Sequence, residues 1–228
     1  ALIAVLLGGC ADLFGPDVDG RLLGVDGHVR FLVREIHGFE FDVVGDPQMA
    51  IYIVTEKEYP CRGHAIEGTA SAAGSVVTLE IAGVREPELC FNATEVAEFR
   101  RALAVGPGSW TFRFVHDGRS SEYTVIIDAE AIRVTGSDDD IAIPDRPLFW
   151  RYPPSSFALA CNRAGGFPVT CATLHDSVAA TPGVEIHEFG ADGGIPYPVS
   201  YADFQSDWLV SYFTYADTSA WTGARERA

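Results

Sequence analysis

Lysine is almost missing from this 228-residue chain: Lys57 is the only one, and Arg100-Arg101 is the only adjacent basic pair. Against 16 basic side chains stand 32 acidic ones, for a formal net charge of −16. A surface of that sign repels phosphate backbones, which excludes nucleic acid as a partner and argues against broad contact with anionic lipid. A run of about 20 apolar residues, the length a bilayer-crossing helix needs, is also missing. So are the short catalytic signatures: no Gly-x-Ser-x-Gly, Ser-x-x-Lys or His-Glu-x-x-His is present. The six histidines, His28, His37, His64, His116, His175 and His187, show no metal-type spacing. What these gaps leave open is a site assembled from residues distant in sequence, such as a spatial triad or a pair of glycosidase carboxylates.

What is present begins at the N-terminus. Ala1-Leu2-Ile3-Ala4-Val5-Leu6-Leu7 is apolar, Gly8-Gly9 supplies small residues, and Cys10 follows at once. That is an h-region and a cleavage site with a thiol behind it. Leu7-Gly8-Gly9-Cys10 resembles the lipobox of bacterial lipoproteins, in which the cysteine is acylated and becomes the first mature residue. No Met and no basic n-region precede Ala1, so the signal is expected to begin upstream. The resemblance implies lipidation at Cys10, a membrane partner through the acyl anchor, and a location in the bacterial cell envelope. It covers these ten residues only. Residues 1–9 are then a signal remnant and 10–19, rich in Asp, Gly and Pro, a tether.

Four further cysteines, Cys61, Cys90, Cys161 and Cys171, make an even set suited to an oxidising compartment. Proximity favours Cys61 with Cys90 and Cys161 with Cys171, out of three possible pairings. Composition is that of a folded globule, 47% hydrophobic and 21% charged.

Hairpin signals dominate the next stretch. Around Asp117-Gly118, a two-residue type I′ turn sets Phe112 opposite Tyr123, Trp110 opposite Val125, Arg113 opposite Glu122 and Thr111 opposite Thr124. One face is then apolar and the other polar. The same reading at Asp26-Gly27 brings Leu22 opposite Phe31, with Val29, Phe31 and Val33 inward. Further strands are expected at Phe39–Val44, Met49–Thr55, Val76–Val84 and Ala131–Thr135. About seven short strands at such intervals suggest an antiparallel β-sandwich, immunoglobulin-like in architecture, over residues 20–147. One crossover helix is expected at Phe91–Leu103, where Asn92 and Glu95 form a capping box, Phe91 and Val96 a hydrophobic staple, and Val96, Phe99 and Leu103 a stripe.

Residues 148–228 read as a smaller α+β region, either a second domain or an extension. Strands are expected at Phe149–Tyr152, Phe157–Cys161, Val184–Phe189 and Trp208–Tyr215. A helix over Val169–Ala180 carries Cys171, Leu174 and Val178 on one face and is stopped by Pro182-Gly183. Ser200–Asp203 is a possible capping box.

Two clusters carry candidate chemistry. Asp138, Asp139, Asp140 and Asp145 offer the carboxylates a Ca²⁺ ion takes, though not at EF-hand spacing, and the alternative is a solvated acidic turn. The C-terminal aromatics Tyr201, Trp208, Tyr212 and Trp221 offer faces for a sugar ring or an envelope protein, against the alternative of core packing. Apart from that calcium site no cofactor is expected, and no catalytic residue stands out. The expectation is a membrane-anchored envelope lipoprotein with a binding or structural role. An extracytoplasmic hydrolase of glycan or peptide, and an accessory subunit of an envelope complex, are the alternatives.

Overall fold

A computed structural model describes residues 22–40, 43–136, 140–162, 168–196 and 208–228. The chain is mainly β. Ten strands share one sheet: β1 (Val29–Glu40), β2 (Val43–Arg62), β3 (Ala65–Ala73), β4 (Val76–Arg85), β5 (Phe91–Ala102), β6 (Gly108–His116), β7 (Arg119–Ile127), β8 (Ala131–Thr135), β9 (Ala142–Pro144) and β10 (Leu148–Trp150). Their order is β10-β8-β7-β6-β4-β3-β5-β2-β1-β9. The pairing is mixed rather than antiparallel throughout: β1·β9, β3·β5 and β4·β6 run parallel. β5 takes the place beside β2 that the hairpin β3–β4 would otherwise occupy, and that displacement produces the parallel contacts β3·β5 and β4·β6.

The sheet curls. Phe31, near one end of the strand order, lies 4.4 Å from the Phe114 ring and 5.1 Å from that of Tyr123, near the other end. Both ends therefore fold over one core, filled by alternate residues of facing strands such as Val29, Phe31 and Val33 of β1 and Phe112 and Phe114 of β6. The Tyr123 hydroxyl donates to the Ala142 carbonyl of β9 at 2.5 Å, and the Ile141 amide donates to the Ser121 hydroxyl at 2.9 Å. These bonds fasten one edge of the sheet onto β7.

The β6–β7 hairpin has the expected register at all four pairs, with Asp117 at φ 49° and Gly118 at φ 75°, the positive angles a type I′ turn requires. The turn at Asp26-Gly27 acts differently. Gly27 has φ 81°, but Leu23 bridges to Val84 of β4, and Phe31 pairs with Ile53 of β2 rather than facing Leu22. The inward placement of Val29, Phe31 and Val33 stands. Phe39 and Val44 are cross-strand partners of β1 and β2, not members of one strand.

The expected crossover helix is corrected as well: Phe91–Ala102 is β5, a strand. It pairs antiparallel with β2 from Ala50↔Ala102 to Arg62↔Phe91, and the Ala97 amide donates to Thr55 Oγ1 at 3.0 Å. Helix propensities differ by only tenths of a kcal/mol per residue, so a ready-made partner strand outweighs the capping box and staple. Cys90 ties the start of that strand to Cys61 at the end of β2, with Cα atoms 5.0 Å apart.

The remaining elements are β11 (Ser156–Asn162), α1 (Pro168–Ala179), β12 (Val184–His187), β13 (Trp208–Tyr215) and α2 (Thr218–Arg227). The three strands form an antiparallel sheet in the order β11-β13-β12. Cys161 of β11 is bonded to Cys171 of α1. Val178, Val184, Phe213, Ala220 and Ala224 form its core. Helix α2 starts on Asp217, whose carboxylate accepts from the amides of Ser219 and Ala220. Ser200–Asp203 lies outside the described residues.

The two regions meet at β10. Trp150 Nε1 donates to the Gly190 carbonyl at 2.9 Å, and the Trp150 amide to that of Gly194 at 2.7 Å. A Cβ at position 193 would lie 2.5 Å from the Trp150 indole nitrogen, so only glycine lets the backbone lie on the ring.

Candidate functional site

The inward row of β1 reads Val29, Phe31, Val33 and then Glu35. A carboxylate at that parity must enter the core, and Glu35 is 4% exposed. A buried charge demands a partner. Arg151, just beyond β10, supplies it: its Nε and Nη2 donate to Glu35 Oε1 at 2.9 and 2.7 Å. The Tyr152 amide donates to Oε2 at 2.9 Å, and Arg151 Nη1 donates to the Asp128 carbonyl. Burial pushes the Tyr152 hydroxyl far above the ordinary tyrosine range, with the neighbouring Tyr212 acting in the same direction.

Around this pair lies a cleft of about 670 Å³, where β5 finishes beside β1 at Glu35 and β2 at Pro47–Met49. Met49, Leu103, Val105 and Pro107 line it with apolar surface, Gln48 stands at its side, and Glu35 and Arg151 complete it. Its size is that of a small-molecule site. Both Glu35 oxygens accept bonds from within the protein, whereas two of the five Arg151 N–H groups have no partner among the described residues. The arrangement therefore offers hydrogen-bond donors in a mostly apolar cleft whose described charged residues, Glu35 and Arg151, offset each other. That suits a ligand with an apolar body and one accepting group.

No protein-family model, curated protein or solved structure matches the chain. The site stands on its own geometry.

Of the residues singled out in the sequence, the cysteines pair as expected, Cys61 with Cys90 and Cys161 with Cys171. Cys10, Asp138, Asp139 and Tyr201 lie outside the described residues. Asp140 faces Arg119 at 3.6 Å, and Asp145 faces Arg30 at 3.4 Å. Each carboxylate thus meets a guanidinium that competes with any cation, and among the described residues no group of three or more His, Cys, Asp or Glu is placed to hold a metal ion.

The aromatics divide. Tyr212 is 5% exposed; it packs against Phe189 and Tyr152 and donates its hydroxyl to the Pro196 carbonyl, a core role. Trp221 is half-buried, stacked at 5.7 Å on Tyr215 with the Arg225 guanidinium 5.7 Å from its ring. Trp208 opens β13, opposite Asn162 of β11. Neither Tyr212 nor Trp221 lines the cleft. Sequence reasoning missed Glu35 and Arg151, although the alternation Val29-x-Phe31-x-Val33-x-Glu35 was a signal for the first.

Proposed function

We propose that the protein is a lipid-anchored lipoprotein of the bacterial cell envelope, with a cleft that binds a small, largely apolar ligand through the free donors of Arg151. The Arg151–Glu35 pair under that cleft is the observation that carries the binding role. A buried ion pair is weak evidence for stability, because a well-packed apolar pair of similar volume is often no less stable. Its placement in the lining of a cleft, with two Arg151 N–H groups unused among the described residues, supports a use in recognition. The anchor reading rests on Leu7-Gly8-Gly9-Cys10, and the two disulfides support an oxidising, extracytoplasmic address. The curled sheet, with both ends folded over one core, supports a sandwich-like description of residues 20–147.

Binding is favoured over the hydrolase alternative because, among the described residues, Glu35 is the one carboxylate lining the cleft and already accepts three N–H groups, and no described histidine lines it.

The test is native mass spectrometry of the full chain isolated from its own membranes, beside the Ala104→Trp variant, which fills the cleft from an exposed position. A non-covalent small molecule carried by the wild type and lost from the variant is expected. A wild type that carries nothing, or a variant that retains the molecule, ends the binding reading. The mass of the N-terminal peptide tests the anchor separately, with an acylated Cys10 expected.

A further inference from the structure

The strands that meet at the cleft also define the opposite end of the large sheet. β2 passes the cleft at Pro47–Met49 and finishes at Arg62, while β5 begins at Phe91 and finishes in the cleft, so the Cys61–Cys90 bridge lies far from the cleft along both strands. Leu89 and Phe91, on either side of Cys90, are the most exposed large apolar side chains among the described residues, at 71% and 64%. The N-terminal segment comes in at this end too: Leu23 bridges to Val84 in the last turn of ladder before Arg85, and Leu22 is itself 38% exposed. The other exposed apolar residues lie elsewhere, Ile126 near the cleft end of β7 and Ile186 and Ile195 in the C-terminal region.

We propose that the end carrying Leu22, Leu89 and Phe91 is a membrane-docking rim that rests on a zwitterionic lipid surface and holds the cleft away from it. This rests on the reading of Cys10 as acylated. Twelve Cα steps lead from Cys10 to Leu22 and reach at most ~40 Å, so the anchor keeps Leu22 within that distance of the bilayer. Apolar side chains held there gain from entering the interface. The disulfide fixes the backbone between Leu89 and Phe91, so little ordering is lost on docking. The exposed Glu86 and Glu88 lie beside Leu89, and with a net charge of −16 they select a neutral headgroup over an anionic one.

The experiment places the acylated full chain in phosphatidylcholine vesicles with bromine-labelled acyl chains and compares tryptophan quenching in Phe91→Trp and Ile126→Trp. Both positions are exposed, so neither substitution disturbs a buried side chain. Quenching of the Phe91→Trp signal several-fold above that of Ile126→Trp is expected, and it falls when phosphatidylserine replaces half of the lipid. Equal quenching at the two positions overturns the rim, and quenching undiminished by phosphatidylserine overturns its preference for neutral headgroups. Should the N-terminal peptide carry no acyl chain, the anchor reading fails by itself and the rim is read from co-sedimentation of the unacylated full chain with phosphatidylcholine vesicles. There Leu89→Ser with Phe91→Ser weakens binding about tenfold, a change of about 1.4 kcal/mol. No wild-type binding, or equal binding by the variant, overturns it.

Discussion

The ten-stranded region closes over three touching rings, Phe31, Phe114 and Tyr123, within a core of more than twenty buried side chains, whereas the C-terminal region gathers four around Phe213. The larger region is held by burial. The smaller one adds a disulfide, a ring stack of Phe157 on Phe213 at 5.3 Å, a capped helix and a seat on Trp150. A small core supplies too little burial to order its own chain, so it draws on cross-links and on its neighbour.

The sharpest way to break this contrast is Phe31→Ala. It leaves a cavity where both ends of the sheet meet and should cost about 3–5 kcal/mol in urea unfolding followed at any probe. A loss confined to the C-terminal region would refute the division. Arg151→Met strands the Glu35 carboxylate where the two regions join and should also cost about 3–5 kcal/mol, while Glu35→Leu combined with Arg151→Met recovers most of it. Denaturation curves of the single and double variants decide whether the pair is needed for folding or only for recognition.

Removing the bridges tests the staples. By loop length, loss of Cys61–Cys90, separated by 29 residues, costs about 3.6 kcal/mol, and loss of Cys161–Cys171, separated by 10, about 2.7 kcal/mol. Yet the second should do more local harm. With both Cys161 and Cys171 changed to Ser, hydrogen exchange is expected to speed up in β11, β12, β13 and α1 and to stay unchanged in β6 and β7.

The smallest effect is a pH dependence at Asp128. Backbone amides of Glu130 and Ala131, with the Arg133 guanidinium, hold its carboxyl below the usual 3.8. A depressed folded pKa contributes stability above the unfolded value that is lost as pH falls through the folded one. The Tm gap between wild type and Asp128→Asn should therefore be widest near neutral pH and close below about pH 4. A gap that is constant over that range would show that the carboxylate contributes nothing as a charge.

The same contrast explains what could be read from the sequence. The β6–β7 hairpin was legible because Asp117-Gly118 fixes the register locally, and α1 because its apolar face and the Pro182-Gly183 stop lie within a dozen residues. Pairing of the cysteines followed from proximity. β5 was not legible: its strand state comes from β2, some forty residues away, while Asn92, Glu95 and Phe99 carry helix signals. β3, with Ala65–Ala73 rich in small residues, and the C-terminal helix behind Asp217 were missed for want of any strong period. The candidate site was half visible, since Glu35 sits on an inward row, but Arg151 lies 116 residues further on and only the curl of the sheet brings it there.

The placement of β5 between β2 and β3 also bears on how the chain reaches its native state. The hairpins β3–β4 and β6–β7 join neighbours in sequence and can close early, but β5 has to slot in between two strands already joined by the short Gly63-His64 link. Such long-range pairing is slow, on the scale of milliseconds to seconds for β-rich chains, and until it completes both β2 and β3 present open edges. A Cys61–Cys90 bond formed early would keep the incoming strand within reach of its slot. Oxidation would then act as a folding accelerator after export, and delayed oxidation would leave a sticky, gapped sheet open to aggregation.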